Sequence, residues 1–225
     1  MNFECLKDFN KIYVLVSGGF DSTYLYEKIK SLYPEKTYPV NCYNPYEWND
    51  TLKRIEQNDT NFIKILPGNY KDVIKQSFLK LPLAYKLKEQ KKYTKNIFSC
   101  CRVLKHKQFK KDPRFIEPNT VVVSGIKFGD GKQRRIWLSQ LKNKDTFFHK
   151  HINGMLYYYP YRDYYKYELP DEIKDQLYKK YPKITHSGCS LCPILVLFNI
   201  ISETDRYDKS LQYANKLGVL PYQIF

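Results

Sequence analysis

Residues Lys11 to Ser22 read KIYVLVSGGFDS, and this stretch decides the fold. Ile12-Tyr13-Val14-Leu15-Val16 is a continuous apolar run with the length of a buried strand. Ser17-Gly18-Gly19 interrupts it, and Asp21-Ser22-Thr23 opens a helix that continues through Tyr24, Leu25 and Ile29. A strand, a Gly-Gly turn and a helix N-terminus in that order form an anion site. The glycines let the backbone approach a phosphate, and the first-turn N–H groups and the helix dipole face it. The plainer account is a strand-to-helix turn in which glycine serves geometry and Asp21 or Ser22 caps the helix.

Outward from this stretch the chain alternates. The first strand is expected over about 11–17 and the first helix over about 21–32. Tyr38 to Asn44 reads as a second strand, Trp48 to Gln57 as helix, and Phe62 to Leu66 as a third strand closed by Pro67-Gly68. Residues 71–80 place Val73, Ile74, Phe78 and Leu79 at helical spacing. Strand and helix in alternation predict an α/β fold, a parallel twisted sheet flanked by helices, with ligands at the C-terminal ends of the strands. Residues 82–97 are Lys-rich and predict a solvated helix or loop. Thr120 to Gly125 is a further buried strand. It runs into Gly125-Ile126-Lys127-Phe128-Gly129-Asp130-Gly131-Lys132-Gln133-Arg134-Arg135, which is expected as a loop. Three glycines and four cations there suit a phosphate or sulfate contact or a basic hairpin. Leu156 to Tyr161 is an aromatic strand whose tyrosines could stack bases or simply pack. A helix follows Pro170-Asp171-Glu172 to about Lys180, an apolar helix spans about 194–202, and an amphipathic one about 205–217. The organisation predicted is one domain over 1–225: a sheet core to about residue 160, and a helical C-terminal portion over about 161–225.

The chain has 225 residues, a formal net charge of +15, 22 tyrosines and 13 phenylalanines. This excess of cations favours an anionic partner, a nucleotide or a nucleic acid. MNFECLKDFN carries no signal-peptide pattern, and the apolar run Cys192 to Ile201 is too short to span a bilayer. The expectation is a cytoplasmic protein with no membrane partner. In that reducing compartment the six cysteines argue for metal or catalysis rather than disulfides. The histidines at 106, 149, 151 and 186 are expected at the surface or in packing, with His149 and His151 in a loop.

Cys100-Cys101 and Cys189-x-x-Cys192 each open an expected helix. Together they form a four-thiolate set, which suits zinc or an iron–sulfur cluster. Neighbouring side chains rarely both reach one small tetrahedral zinc. Separate irons of a cube stand farther apart, so the adjacent pair favours [4Fe–4S], with zinc as the alternative.

Two resemblances follow from these residues. Ser17-Gly18-Gly19-Phe20-Asp21-Ser22 resembles the SGGxDS loop of the N-type (PP-loop) ATP pyrophosphatases, which cut ATP between the α and β phosphates. The CC…CxxC arrangement resembles the iron–sulfur adenylylsulfate reductases within the phosphoadenylylsulfate (PAPS) reductase family. Cys101-Arg102-x-x-Lys105 is similar to that family's Cys…Lys segment. Gly125-Ile126-Lys127 through Asp130 to Arg134 is similar to its Gly-Ile-Arg…Glu-Ser…Arg loop. Lys127 stands there for arginine, Asp130 for glutamate and Gly131 for serine. Pro160-Tyr161-Arg162-Asp163 occupies the place of its Trp-x-x-x-Asp segment. Two departures matter: no cysteine follows Cys192, so the tail nucleophile of the reductases is missing, and the phosphate loop is intact where theirs is usually degraded.

The first reading is therefore an ATP pyrophosphatase-type enzyme that adenylates an acceptor and supports iron–sulfur-dependent sulfur transfer. The resemblance implies that Ser17, Gly18, Gly19, Phe20, Asp21 and Ser22 hold ATP, with Asp21 also serving Mg²⁺. Lys105, Lys127 and Arg134 would neutralise phosphate charge. Cys100, Cys101, Cys189 and Cys192 would bind the cluster. DNA or tRNA is the acceptor expected, and a sulfur-donor protein a further partner. The second reading is an oxidoreductase, an adenylylsulfate or phosphoadenylylsulfate reductase releasing sulfite. The third is a non-enzymatic, cluster-bearing module that binds nucleotide or nucleic acid.

Overall fold

The computed structural model describes residues 3–47, 49–94, 97–130, 132–141, 147–151, 153–164, 168–184 and 190–220. Six strands form one sheet in the order β3-β2-β1-β4-β6-β5. They are β1 (Lys11–Leu15), β2 (Thr37–Cys42), β3 (Ile63–Ile65), β4 (Thr120–Val123), β5 (Phe148–Lys150) and β6 (Leu156–Tyr158). The β1–β2, β1–β4 and β4–β6 pairs are parallel, and β5 closes the edge antiparallel to β6. Helices α1 (Phe20–Leu32), α2 (Asp50–Asn58), α3 (Tyr70–Phe78), α4 (Leu81–Glu89), α5 (Lys107–Phe109), α6 (Lys132–Ser139), α7 (Asp171–Lys180), α8 (Pro193–Phe198) and α9 (Thr204–Lys216) complete the α/β architecture.

The central strands are apolar because parallel strands are covered on both faces. Ile12, Tyr13 and Val14 of β1 and all four residues of β4 are buried. The register Val14↔Val123 brings the C-terminal ends of β1 and β4 side by side.

Contacts divide the chain into two compact, interleaved units. The first comprises Met1–Asn41, Asn49–Lys64 and Lys110–Ser187; the second comprises Cys42–Trp48, Ile65–Phe109 and Gly188–Phe225. The core of the second gathers Ile74 and Phe78 of α3, Leu81 and Ala84 of α4, Phe98, Cys100, Leu104, and Val196, Leu197 and Ala214 of α8 and α9.

Three expectations change. The glycine-rich stretch after β4 is not one loop: a 3₁₀ turn at Phe128–Asp130 leads into α6. KQRRIWLS contains no glycine or proline and is built mostly from good helix formers. His149 lies in β5 rather than in a loop, because Phe148, His149 and Lys150 pair with Tyr158, Tyr157 and Leu156. The basic helix after Cys101 opens with a π turn, Arg102–His106, in which the N–H of Lys107 donates to the carbonyl of Arg102 five residues back. Among the described residues no helix is long and apolar enough to cross a membrane.

Candidate functional site

In the first unit the site is built on the ends of β1 and β4. The chain leaves β1 toward β2 on one side, and β4 carries it toward β6 on the other. The strand order therefore reverses between these two parallel neighbours, where doubly wound sheets open a crevice for ligands. Ser17 to Ser22 follows β1 there. Gly18 takes φ +76° and Gly19 is the extended N-cap residue of α1. The turn needs glycine twice over: a Cβ on Gly18 would sit 2.2 Å from Oδ1 of Asn49. Ser22 closes the loop, its Oγ accepting from the N–H of Ser17 (3.1 Å) and donating to the carbonyl of Gly19 (3.2 Å).

The segment after β4 meets this loop. Gly125 packs against α1, with the position of a Cβ only 3.2 Å from Leu25 Cδ1. Lys127 Nζ then reaches Asp21 Oδ2 at 2.7 Å. Asp130 turns back on the same segment, accepting from the Lys127 N–H at 3.1 Å and from Arg134 Nη1 at 2.7 Å. Asp21, Lys127, Asp130 and Arg134 thus form one connected line of alternating charge. The N–H groups of Phe128 and Gly129 donate to the carbonyls of Arg162 and Tyr164, each at 3.2 Å. Arg162 is buried, fork-bonded to Asp163 at 2.8 and 3.0 Å and set over the ring of Phe147. The Pro160–Asp163 segment therefore supports the cationic turn through its backbone.

In the second unit three of the four expected ligand cysteines can be followed; Cys189 and His186 lie outside the described residues, as does Gly131. Cys100 is buried and Cys101 exposed at the head of the π turn. The Cys100 thiol hydrogen-bonds to that of Cys101 and holds it below the ordinary thiol range, helped by the Lys105 ammonium. That same contact, with burial, pushes the Cys100 thiol up. Burial also raises Cys192, opposed by the nearby backbone N–H groups of Ile194 and Leu195. Charge on Cys101 raises Cys192 further, so the thiols sense one another. Lys105 pairs with Glu47 at 2.6 Å, and its carbonyl accepts from Cys42 Sγ at 3.4 Å. Among the described residues no group of three His, Cys, Asp or Glu side chains is gathered at metal-holding distance. The described thiols fit a thiolate-bound group by their chemistry and by sharing one unit.

The structure thus joins Lys127 to Asp21 at the Ser17–Ser22 loop, ties Arg134 to Asp130 on the segment that carries Lys127, and joins Lys105 to the cysteines. Sequence reading missed Asn41, Asn49 and Glu47, which hold these groups. Asn49 had a visible signal, an Asn-Asp-Thr helix start, but nothing in it points to the loop. No protein-family model matches the chain, and a search of curated proteins returns no match.

Proposed function

We propose that the chain is a PP-loop enzyme of PAPS reductase type, acting in the cytoplasm, that binds ATP·Mg²⁺ and cleaves it between the α and β phosphates to adenylate an acceptor. One observation carries this reading: a positive-φ glycine turn and the Lys127–Asp21 pair meet at the C-terminal ends of adjacent parallel strands, where strand order reverses. An acceptor oxygen attacks the α phosphorus, the bond to the α–β bridging oxygen breaks, and pyrophosphate leaves with that oxygen. A sulfide-level sulfur from a donor protein then displaces AMP, which carries the acceptor's oxygen away. Asp21 serves Mg²⁺, and Lys127 moves from Asp21 onto the phosphates. Arg134 is the other cation of the step in this unit, held in the resting protein by Asp130. Cys100, Cys101, Cys189 and Cys192 would hold a [4Fe–4S] cluster, which would supply sulfur-transfer or electron-transfer chemistry. A net charge of +15 suits a DNA or tRNA acceptor.

The reductase reading has the cysteine spacing in its favour, while the intact Ser17–Ser22 loop favours ATP. Anaerobic incubation with ATP·Mg²⁺, and separately with adenylylsulfate and a thiol, separates the two. Pyrophosphate with AMP is expected, and sulfite would transfer the chain to the reductases. Asp21→Ala is expected to abolish pyrophosphate release at unchanged metal content; persistent turnover would remove Asp21 from the mechanism.

A further inference from the structure

Two asparagines, neither part of the loop, hold its backbone. The ladder between β1 and β2 ends where the N–H of Val16 donates to the carbonyl of Val40 at 2.9 Å. Past the end of β1 the next two carbonyls, of Val16 and Ser17, are met by side chains. Asn41 Nδ2 donates to the carbonyl of Val16 at 2.6 Å, and Asn49 Nδ2 donates to the carbonyl of Ser17 at 3.3 Å. In a trans peptide the carbonyl and the following N–H point in opposite directions, and no cis bond occurs here. Fixing the Val16 carbonyl therefore aims the Ser17 N–H the other way, and it is found there on Ser22 Oγ. Fixing the Ser17 carbonyl likewise aims the N–H of Gly18 away from Asn49.

We infer that Asn49 is a positioning residue of the anion loop, setting the Ser17–Gly18 peptide so that its N–H faces the phosphate and its carbonyl does not. The inference rests on reading Ser17–Ser22 as a phosphate loop. Asn49 does this while capping α2, its Oδ1 accepting from the N–H of Leu52 at 2.9 Å. One planar amide spends its acceptor on the helix and its donor on the loop, so the position of the loop is referenced to the start of α2. The same amide fills the space beside Gly18, which is why a methyl group there has no room. A side chain that can only accept would satisfy α2 and release the loop.

The two roles separate by substitution. Asn49→Ser and Asn49→Asp both keep a good helix cap; the aspartate has no donor, and the serine hydroxyl is too short to span from the cap to the Ser17 carbonyl. Calorimetry of each full-length variant with ATP·Mg²⁺ and with inorganic pyrophosphate, beside a thermal melt, reads the outcome. The melts should stay near wild type. Affinity should fall about tenfold for Asn49→Ser, the size of one hydrogen bond lost from the anion site. It should fall further for Asn49→Asp, whose carboxylate adds repulsion toward phosphate. Folded variants that bind both ligands as wild type does would overturn the inference alone, leaving Asn49 a helix cap. A wild type that binds neither ligand would remove the phosphate-loop reading and the inference with it.

Discussion

Gly18 is the residue on which the local chemistry turns. Its φ of +76° lies where L side chains rarely go, and the space beside it belongs to Asn49. Gly18→Ala is expected to cost about 1–3 kcal/mol, the range for a side chain forced into such backbone. A urea melt measures it; an unchanged midpoint would mean that the turn is not held as described. The requirement for glycine was legible in the sequence, because Gly-Gly between an apolar run and a helix start has a local cause. Asn41 and Asn49 were not, because their partners come from another segment and an asparagine before a helix has a sufficient local explanation as a cap. Lys127 was legible as a cation near a phosphate loop, but its partner Asp21 was not, since the pairing depends on β1 and β4 being neighbours.

Among elements, β1 and β4 were legible because apolar runs of four or five residues without charge suit a doubly covered strand. The short edge strand β5 was not: FHK has no alternation to read, and its strand character comes from the tyrosines opposite. The π turn after Cys101 was likewise hidden, since the same residues would suit an α-helix. Its widened turn carries Lys105, whose carbonyl takes the Cys42 S–H. The β5–β6 edge also sets a pH dependence. His151 follows β5, stacks on Trp137 and lies 3.3 Å from the Tyr159 hydroxyl. Burial first, then the neighbouring His149 and Lys110, lowers its pKa from 6.5 to about 4. The folded chain therefore binds this proton less readily than the unfolded chain. Stability present above pH 6.5 is lost as the pH falls toward 4. Replacing His151 with glutamine should flatten the fall in denaturation midpoint across that window; an equally steep profile would place the acid sensitivity elsewhere.

For the whole molecule, the decisive feature is interleaving. The alternation of strand and helix announced an α/β fold, but the division into two units rests on contacts between distant stretches, which no local pattern encodes. Residues 65–109 and 188–220 contribute to one core, in which Phe78 and Ala84 share a cluster with Val196 and Ala214. Deleting the chain from Gly188 onward should therefore strip hydrogen-exchange protection from α3 and α4, although neither helix is touched. Protection that survived the deletion would show that those helices draw their stability from within residues 65–109.

Interleaving also fixes a timetable during vectorial synthesis. The strands β1 and β4, and the glycine turn between β1 and α1, have left the ribosome before α8 is translated, whereas the core around Cys100 waits for Val196, Leu197 and Ala214. For the time taken to make the residues in between, Cys100 and Cys101 stand in a nascent chain whose packing partners do not yet exist. Those two thiols are then at their most open to oxidants and to chaperones, and any group that the cysteines hold must be delivered after elongation has passed Cys192.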